Sequence, residues 1–253
     1  RGRPCIHRLI GTPLSINVGD ALYAKVFEML CDNREILGAE KTLELIKQMT
    51  LGSRETFEGQ AYDVGWIRQR YIPTEAEFMA MLRKKTGWYT GRGPCTAGAI
   101  IAGCAPEERQ AIGEYGEAMA IAFQIRDDLL NLLSTEEDEG KAPGVTGGAY
   151  GKERGGDIAE GKRTLIIIDL LRKCTTPEQE KVLAILHSDR CDTSQQDIDR
   201  VIDMAQDYGA VAYAEQVGEK KAEESLAHLG FLPAGPARDR LREMLAFFVQ
   251  RAF

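Results

Sequence analysis

Apolar residues recur every three to four positions along almost the whole chain, the spacing of amphipathic helices. No segment of useful length shows the strict apolar–polar alternation of a half-buried strand. The sequence therefore predicts an all-α protein with one domain over residues 1–253. Thr74 and Glu77 have the spacing of a capping box at a helix start. The predicted helices are 15–31, 35–50, 53–71, 75–90, 94–104, 107–134, 160–174, 177–187, 194–208, 210–229 and 236–251.

Charge and cysteine usage exclude several classes of protein. The formal net charge is −7, with 39 acidic and 32 basic residues, whereas a nucleic-acid-binding protein usually has a basic excess. No run of 18 apolar residues predicts a transmembrane helix. The six cysteines form neither a CxxC pair nor a zinc-like cluster, so we expect a reduced, cytoplasmic protein.

An acidic stretch closes the longest predicted helix. Asp127 and Asn131 are four residues apart and share a face, and Asp128 lies next to Asp127. Adjacent carboxylates repel each other unless a cation lies between them. Carboxylate oxygens on a helix suit Mg²⁺, which binds one or two carboxylates together with substrate phosphates. The spacing alone favours the alternative, a solvated acidic surface.

A glycine-rich, basic segment follows over residues 147–163. It contains Lys152 and Lys162, and its backbone amides and lysines suit phosphate binding. The segment is not a P-loop, because Gly147 is one position too close to Gly151 and Glu153 follows the lysine. Together with the acidic stretch before it, this region predicts a long loop over residues 135–157. A flexible surface loop without function is the alternative.

Two weaker patterns lie upstream. Lys84 and Lys85, followed by Thr86, end a predicted helix. Basic residues at a helix C-terminus also interact favourably with the helix dipole, so they need have no other function. Gln60 and Asp63 place an amide and a carboxylate within one helical turn. Taken singly, each pair is more typical of an ordinary surface than of a site.

The order and spacing of these patterns together resemble the trans-isoprenyl diphosphate synthases, the family of geranylgeranyl and farnesyl diphosphate synthases. The resemblance covers nearly the whole chain. Two departures stand out: Asn131 replaces an aspartate of the second Asp-rich motif, and the family's first Asp-rich motif would precede Arg1. We therefore expect a longer protein in which that motif is present. The matching motifs are Arg1–His7, Asn17–Leu22, Gly59–Asp63, Lys85–Gly87, Phe123–Asp128, Gly151–Asp157 and Glu160–Leu165.

The resemblance implies a helical bundle around a deep cavity, in which Mg²⁺ helps an allylic diphosphate to lose its diphosphate. Isopentenyl diphosphate then attacks the resulting cation. It further implies a role for each of the matching residues. The metal ligands would be Asp127 and Asp128, with Asn131 weaker and Asp63 reaching a metal-bound water; Lys85, Lys152 and Lys162 would bind the allylic diphosphate, Arg1 the isopentenyl diphosphate, Thr86 and Gln124 the reacting centre, and Gln60 and Asp157 would lie behind these groups.

The resemblance also implies a homodimer and a product of twenty carbons or more. The second expectation rests on small residues, Ala21 and Ala24, on a helix expected to line the cavity. Two other functions stay open: a non-catalytic subunit of a heteromeric synthase, and a class I terpene cyclase. A purely structural helical protein would leave the segment 147–163 without explanation.

Overall fold

The computed structural model describes residues 4–133 and 154–250. Within these residues every regular element is helical and no strand occurs, so the all-α prediction is confirmed. The elements are α1 (Ile6–Ile10), α2 (Thr12–Asp32), α3 (Arg34–Leu37), α4 (Ala39–Gln69), α5 (Glu75–Leu82), a π-helix (Arg83–Arg92), α6 (Gly93–Ala102), α7 (Pro106–Leu133), α8 (Gly156–Ala159), α9 (Leu165–Lys173), α10 (Thr176–Leu186), α11 (Gln195–Asp207), α12 (Ala210–Ala227) and α13 (Pro236–Gln250), with 3₁₀ turns at Arg190–Asp192 and His228–Phe231.

The long helix α4 replaces two predicted helices. A break was expected between residues 50 and 53, but the chain remains helical there. The hydroxyl of Thr50 donates to the carbonyl oxygens of Ile46 and Lys47, which satisfies it inside the helix. Helix α4 ends at Arg70, whose φ of 55° is left-handed. The continuous helix carries Asp63, which pairs with Lys85 of the π-helix, in its last two turns.

The capping box at Thr74 is confirmed, and it starts helix α5. The backbone amide of Glu77 donates to the hydroxyl of Thr74, and the carboxylate of Glu77 accepts from the Thr74 amide at 2.7 Å. The predicted helix 75–90 changes character after Leu82, where a π-helix begins and runs to Arg92. Wider π-helical turns are rare and occur often at functional sites. This one carries Lys85 and Thr86.

Helix α7 is the centre of the bundle. Its buried side chains include Tyr115, Met119, Ile125 and Leu129, and it packs against the π-helix, α6, α12 and α13. The Tyr115 hydroxyl donates to the Leu241 carbonyl oxygen at 2.8 Å, which ties α7 to α13. Because α7 is covered on most sides, the carboxylates at its end are held on a rigid support.

The predicted helix 160–174 begins later than expected, at Leu165. Thr164 is its N-cap, and its hydroxyl accepts from the backbone amide of Ile167. Gly161 has a left-handed φ of 65°, so the chain turns before the helix starts. Most of the predicted loop 135–157 lies outside the described residues, but its last two residues begin helix α8.

Helices α1, α2 and α3 have no buried residue among the described parts of the chain. Large apolar side chains on them are exposed, including Leu9, Leu14, Leu22 and Ile36. Among the helices that the structure describes, none combines the length and apolar character needed to cross a bilayer.

The contact between Gly91 and Gly116 should control the stability of the bundle. A Cβ atom at Gly91 would lie 1.8 Å from the Gly116 carbonyl oxygen. We expect Gly91→Ala in the full-length protein to lower the free energy of unfolding by about 1–3 kcal/mol, because backbone must move apart. Chemical denaturation measures this.

Gly98→Ala in α6 is the matched control. Nothing lies within 4 Å of a Cβ atom placed there, so the better helix propensity of alanine should leave stability unchanged or raise it. Equal stability of the Gly91→Ala variant and wild type would show that the close approach does not matter.

Candidate active site

A pocket opens where α4, α5, the π-helix, α7 and the segment before α9 meet. Polar side chains from distant parts of the chain face one another there, above an apolar wall formed by α5. The lining residues are Asp63, Phe78, Met81, Leu82, Lys85, Thr86, Gln124, Asp128, Lys162, Arg163 and Thr164.

A chain of hydrogen bonds connects the π-helix with α7 at this pocket. The Thr86 hydroxyl donates to Gln124 Oε1 at 3.3 Å, and Gln124 Nε2 donates to Asp128 Oδ1 at 2.9 Å. Thr86 is almost fully buried. The amide of Gln124 is therefore oriented from both sides, with its oxygen towards Thr86 and its nitrogen towards the carboxylate.

Asp128 is a buried carboxyl, with 7% of its surface exposed. Burial raises the pKa of Asp128 to about 8, and the negative charges of Asp157 and Asp127 add to the shift. The hydrogen bond from Gln124 and the charge of Lys162 oppose it. The ionised form consequently gains more from an added cation than a solvated carboxylate would.

Lys162 is paired with Asp157 beside this carboxyl. Lys162 Nζ lies 2.5 Å from Asp157 Oδ1 and 3.3 Å from a carboxylate oxygen of Glu160. Burial alone lowers the pKa of Lys162, but the hydrogen bond and charge of Asp157 outweigh it and raise the pKa. The ammonium is therefore fully charged where the pocket needs a cation.

Lys85 occupies the opposite side of the pocket and forms an ion pair with Asp63. Both side chains are partly buried, and Asp63 belongs to α4 whereas Lys85 belongs to the π-helix. The close packing of these two helices at Gly59 permits the pairing, since a Cβ atom at Gly59 would clash with the backbone of Lys85. Asp63, predicted to reach a metal-bound water, thus contacts the predicted phosphate-binding lysine.

Two predicted residues have different surroundings from those expected. Asn131 is buried, and its Oδ1 accepts from the backbone amide of Asp157 at 3.0 Å. Gln60 is exposed on α4 and does not line the pocket.

Asp127 lies beside Asp128 on α7 and its charge acts on that carboxyl. Arg1 and Lys152 lie outside the described residues.

Sequence reasoning missed Arg163, which also lines the pocket. It is 2% exposed, and its Nε donates to the Tyr71 carbonyl oxygen at 3.2 Å, with a further bond from Nη1 to the Gly161 carbonyl oxygen. The residue occupies the variable position between Lys162 and Thr164, so the motif gave no reason to choose it. Its burial depends on a contact with residues more than 90 positions away.

A separate apolar groove runs between α2, α4, the π-helix and α6. Side chains from α2 line it, but not those expected: Tyr23, Val26 and Leu30 face the groove, while Ala21 and Ala24 are exposed. Ala21 and Ala24 do not line this groove, because the opposite face of α2 packs towards α4, so their expected place along a cavity stays a prediction.

Comparison with known proteins identifies the family. Residues 1–205 match the family model described as polyprenyl synthetase. The chain belongs to the polyprenyl synthetase family. The resemblance inferred from the motif order is confirmed, and the motifs around Lys85, Gln124, Asp128 and Lys162 are those that the fold brings to one pocket.

Individual members of the family are similar over almost all of this chain. A short chain isoprenyl diphosphate synthase of Methanothermobacter thermautotrophicus is 33% identical over 99% of the chain and 71% of its own length. The crystal structure of geranylgeranyl pyrophosphate synthetase from Pyrococcus horikoshii is 30% identical, with a TM-score of 0.85, over 100% of this chain and 71% of that one.

A third similar protein is the geranylgeranyl pyrophosphate synthase from Corynebacterium glutamicum, complexed with isoprenyl diphosphate and magnesium. It is 28% identical, with a TM-score of 0.81, over 99% of this chain and 66% of that one. The chain thus spans about two thirds of the length of these relatives.

Asp128→Asn should separate the stability cost of the buried carboxyl from its function. The folded pKa of about 8 lies above the unfolded value of about 3.9, so wild type loses stability as the pH rises through this interval. In metal-free buffer at pH 9, we expect the full-length variant to melt at least about 2 °C higher than wild type. At pH 5 the difference should be about a quarter as large, because only about one of the four pH units between the two pKa values has been crossed. Differential scanning calorimetry at both pH values measures this.

Asp169→Asn is the matched control for a buried carboxylate with partners. Asp169 is 1% exposed, and its oxygens lie 2.5 Å from Arg172 and 2.6 Å from Lys173. Loss of these ion pairs should lower the melting temperature at both pH values. If Asp128→Asn also lowered the melting temperature at both pH values, its surroundings would stabilise the ionised carboxylate. That result would contradict the claim that burial disfavours this form.

Proposed function

We propose that the protein containing this chain is a prenyl transferase that joins isopentenyl diphosphate to an allylic diphosphate. The allylic C–O bond breaks and diphosphate leaves, the double bond of isopentenyl diphosphate forms the new C–C bond, and a proton is lost. The observation that carries the proposal is the pocket in which Lys85 and Lys162 face a buried carboxyl, Asp128, above apolar side chains. Relatives named as synthases of prenyl diphosphates support it.

The carboxylates at the end of α7 fit Mg²⁺. In the described part of the chain no three Asp, Glu, His or Cys side chains form a metal-binding group by themselves. Asp128 and Asp127 nevertheless offer hard oxygen ligands on a rigid helix, and burial, the main cause of the raised pKa of Asp128, disfavours an ionised form that a bound cation would stabilise. When bound, the metal would offset the negative charge of the departing diphosphate. The magnesium complex of the similar Corynebacterium glutamicum protein supports this assignment.

The lysines and the Thr86–Gln124 pair have distinct tasks in the proposed reaction. Lys85 and Lys162 donate to the allylic diphosphate, while Thr86 and Gln124 present oxygens that stabilise the allylic cation through their dipoles. The hydrogen bonds from Thr86 and to Asp128 keep Gln124 in one orientation. Lys152 and Arg1 are predicted to complete the diphosphate sites. Asp63 and Gln60 stay predicted outer contacts of the metal and the substrate.

The apolar groove lined by Tyr23, Val26 and Trp88 suits the growing prenyl tail. Gly52 forms part of its wall, which leaves room that a larger side chain would fill. The similar Pyrococcus horikoshii and Corynebacterium glutamicum structures are named geranylgeranyl pyrophosphate synthases, which favours a product of twenty carbons or more.

Assembly and location stay predictions of the sequence. A homodimer would cover the exposed apolar side chains of α1 to α3, such as Leu14 and Leu22. All six cysteines carry free thiols, as in many cytoplasmic proteins. A non-catalytic subunit of a heteromeric synthase would share this fold, and the activity of the isolated full-length protein distinguishes it from the enzyme.

Replacing Asp127 and Asp128 together with alanine should abolish condensation. We expect at least a 10²-fold loss of rate, because transition-state charge loses its counterion, while circular dichroism stays unchanged since alanine favours helix. The assay uses full-length protein, Mg²⁺, labelled isopentenyl diphosphate and geranyl or farnesyl diphosphate. The control is Asp203→Ala with Asp207→Ala, an exposed pair on α11 with the same helical character. Full activity of the Asp127/Asp128 variant would refute the assignment, and an inactive wild type would favour the non-catalytic subunit.

Product length tests the groove independently. Chromatography of the dephosphorylated products should show mainly twenty carbons or more for wild type. Val26→Phe should shorten the product, because a ring in the groove occupies space that the tail needs. Ala24→Phe, on the exposed face of the same helix, is the control and should leave the product unchanged. A fifteen-carbon wild-type product, or a shift with Ala24→Phe alone, would contradict this location of the tail.

A further inference from the structure

We propose that Asn131 is a positioning residue that fixes the segment carrying Asp157 and Lys162 against the end of α7, and that it is not a metal ligand. The inference rests on the proposed function for its catalytic consequence. The anchoring of the segment after α7 does not depend on that function, because it rests only on hydrogen bonds within the protein.

Asn131 holds the returning chain at two points. Its side-chain Oδ1 accepts from the backbone amide of Asp157 at 3.0 Å, and its carbonyl oxygen accepts from the backbone amide of Gly155 at 2.7 Å. Only 5% of Asn131 is exposed, so water competes little for these acceptors. Asn131 therefore binds the segment that begins at Gly155 back to the C-terminal end of α7.

The segment has little freedom to settle elsewhere. Gly155 has a left-handed φ of 69°, and a Cβ atom there would lie 2.2 Å from Cγ2 of Ile198 on α11. Arg154 Nη1 adds an ion pair to Asp199 at 2.7 Å on the same helix. The segment is thus held between α7 and α11. The hydrogen bond from Asp157 to Asn131 fixes the residue whose carboxylate pairs with Lys162.

This anchoring determines where Lys162 lies. Asp157 Oδ1 is 2.5 Å from Lys162 Nζ, and the charges of both residues act on Asp128. If the Asp157 backbone moved away from α7, the carboxylate and its lysine would move with it. Asn131 consequently sets the separation between the cationic side of the pocket and the carboxylates of α7.

An amide suits this position better than a carboxylate. Aspartate could accept the same backbone hydrogen bond, but it would add a negative charge to the neighbourhood of Asp127, Asp128 and Asp157. Asparagine supplies the acceptor without that charge. Asn131 therefore anchors the segment without adding to the negative charge around Asp128.

Hydrogen exchange in metal-free, full-length protein tests the anchoring directly. Asn131→Ala should accelerate exchange of the Asp157 amide about tenfold, because its acceptor is lost. Asn131→Asp keeps an acceptor and should leave this exchange unchanged. Asp127→Ala is the matched contrast on the same helix, and it should not alter exchange at Asp157. This measurement needs no catalytic activity, so it is independent of whether the proposed reaction is correct.

The Mg²⁺ dependence of condensation separates anchoring from ligation. Asn131→Ala should raise the KM for the allylic diphosphate about tenfold but keep the half-saturating Mg²⁺ concentration within threefold of wild type. Asp127→Ala should raise that Mg²⁺ concentration at least tenfold. The inference is overturned if Asn131→Ala raises it as much as Asp127→Ala does, or leaves exchange at Asp157 unchanged. Should Asn131→Ala fail to fold, Asn131→Asp decides: a tenfold lower Mg²⁺ requirement means ligation, and an unchanged one means anchoring.

Discussion

The buried carboxyl of Asp128 is the group on which the arrangement of the pocket depends. Its ionised form is opposed by desolvation and by two neighbouring aspartates, and favoured by a hydrogen bond from Gln124 and by Lys162. A protein selected for stability alone would not keep a charge there, since a neutral side chain of similar size would avoid the desolvation cost. Groups with strongly perturbed pKa values cluster at functional sites, and a cation next to Asp128 would offset the cost of its burial.

The position of Asp128 depends on close backbone packing elsewhere. Glycines at 91 and 116 allow the π-helix and α7 to approach within a distance that no side chain permits. That approach brings Thr86 of the π-helix to Gln124, which already donates to Asp128 one helical turn further along α7, so the backbone contact adds the third polar group to the chain. The π-helix contributes as well, because its wider turn carries Lys85 and Thr86 together towards the pocket.

The sequence predicted the elements of the site better than their connections. Helical period, the capping box at Thr74 and the order of motifs were enough for the fold class and for Lys85, Thr86, Gln124, Asp128 and Lys162. Motif order identifies which residues belong to the site, because each motif is a short run of neighbouring residues that can be recognised in the sequence. It does not contain the distance between motifs in space, so it did not predict that Asn131 accepts a hydrogen bond from the backbone amide of Asp157.

The same limit explains the other differences. Gln60 precedes Asp63 by less than one helical turn, yet only Asp63 faces the pocket, because the rotation of α4 is fixed by its packing against the π-helix at Gly59. Arg163 and the face of α2 were missed for a related reason. Their surroundings come from Tyr71 in one case and from α4 in the other, and periodicity cannot tell which of two moderately apolar faces meets a partner.

The pairing of both pocket lysines with aspartates constrains how a diphosphate could enter. Lys85 contacts Asp63 and Lys162 contacts Asp157, so neither ammonium is without a counterion before substrate arrives. A diphosphate must therefore compete with carboxylates already in place, and it meets the negative charge of Asp128 when that group is ionised. A divalent cation held by Asp127 and Asp128 would offset this repulsion and would leave the lysines able to share their hydrogen bonds between carboxylate and phosphate oxygens. Each ion pair would also hold its lysine in place beforehand, so that less side-chain entropy would be lost when the substrate binds.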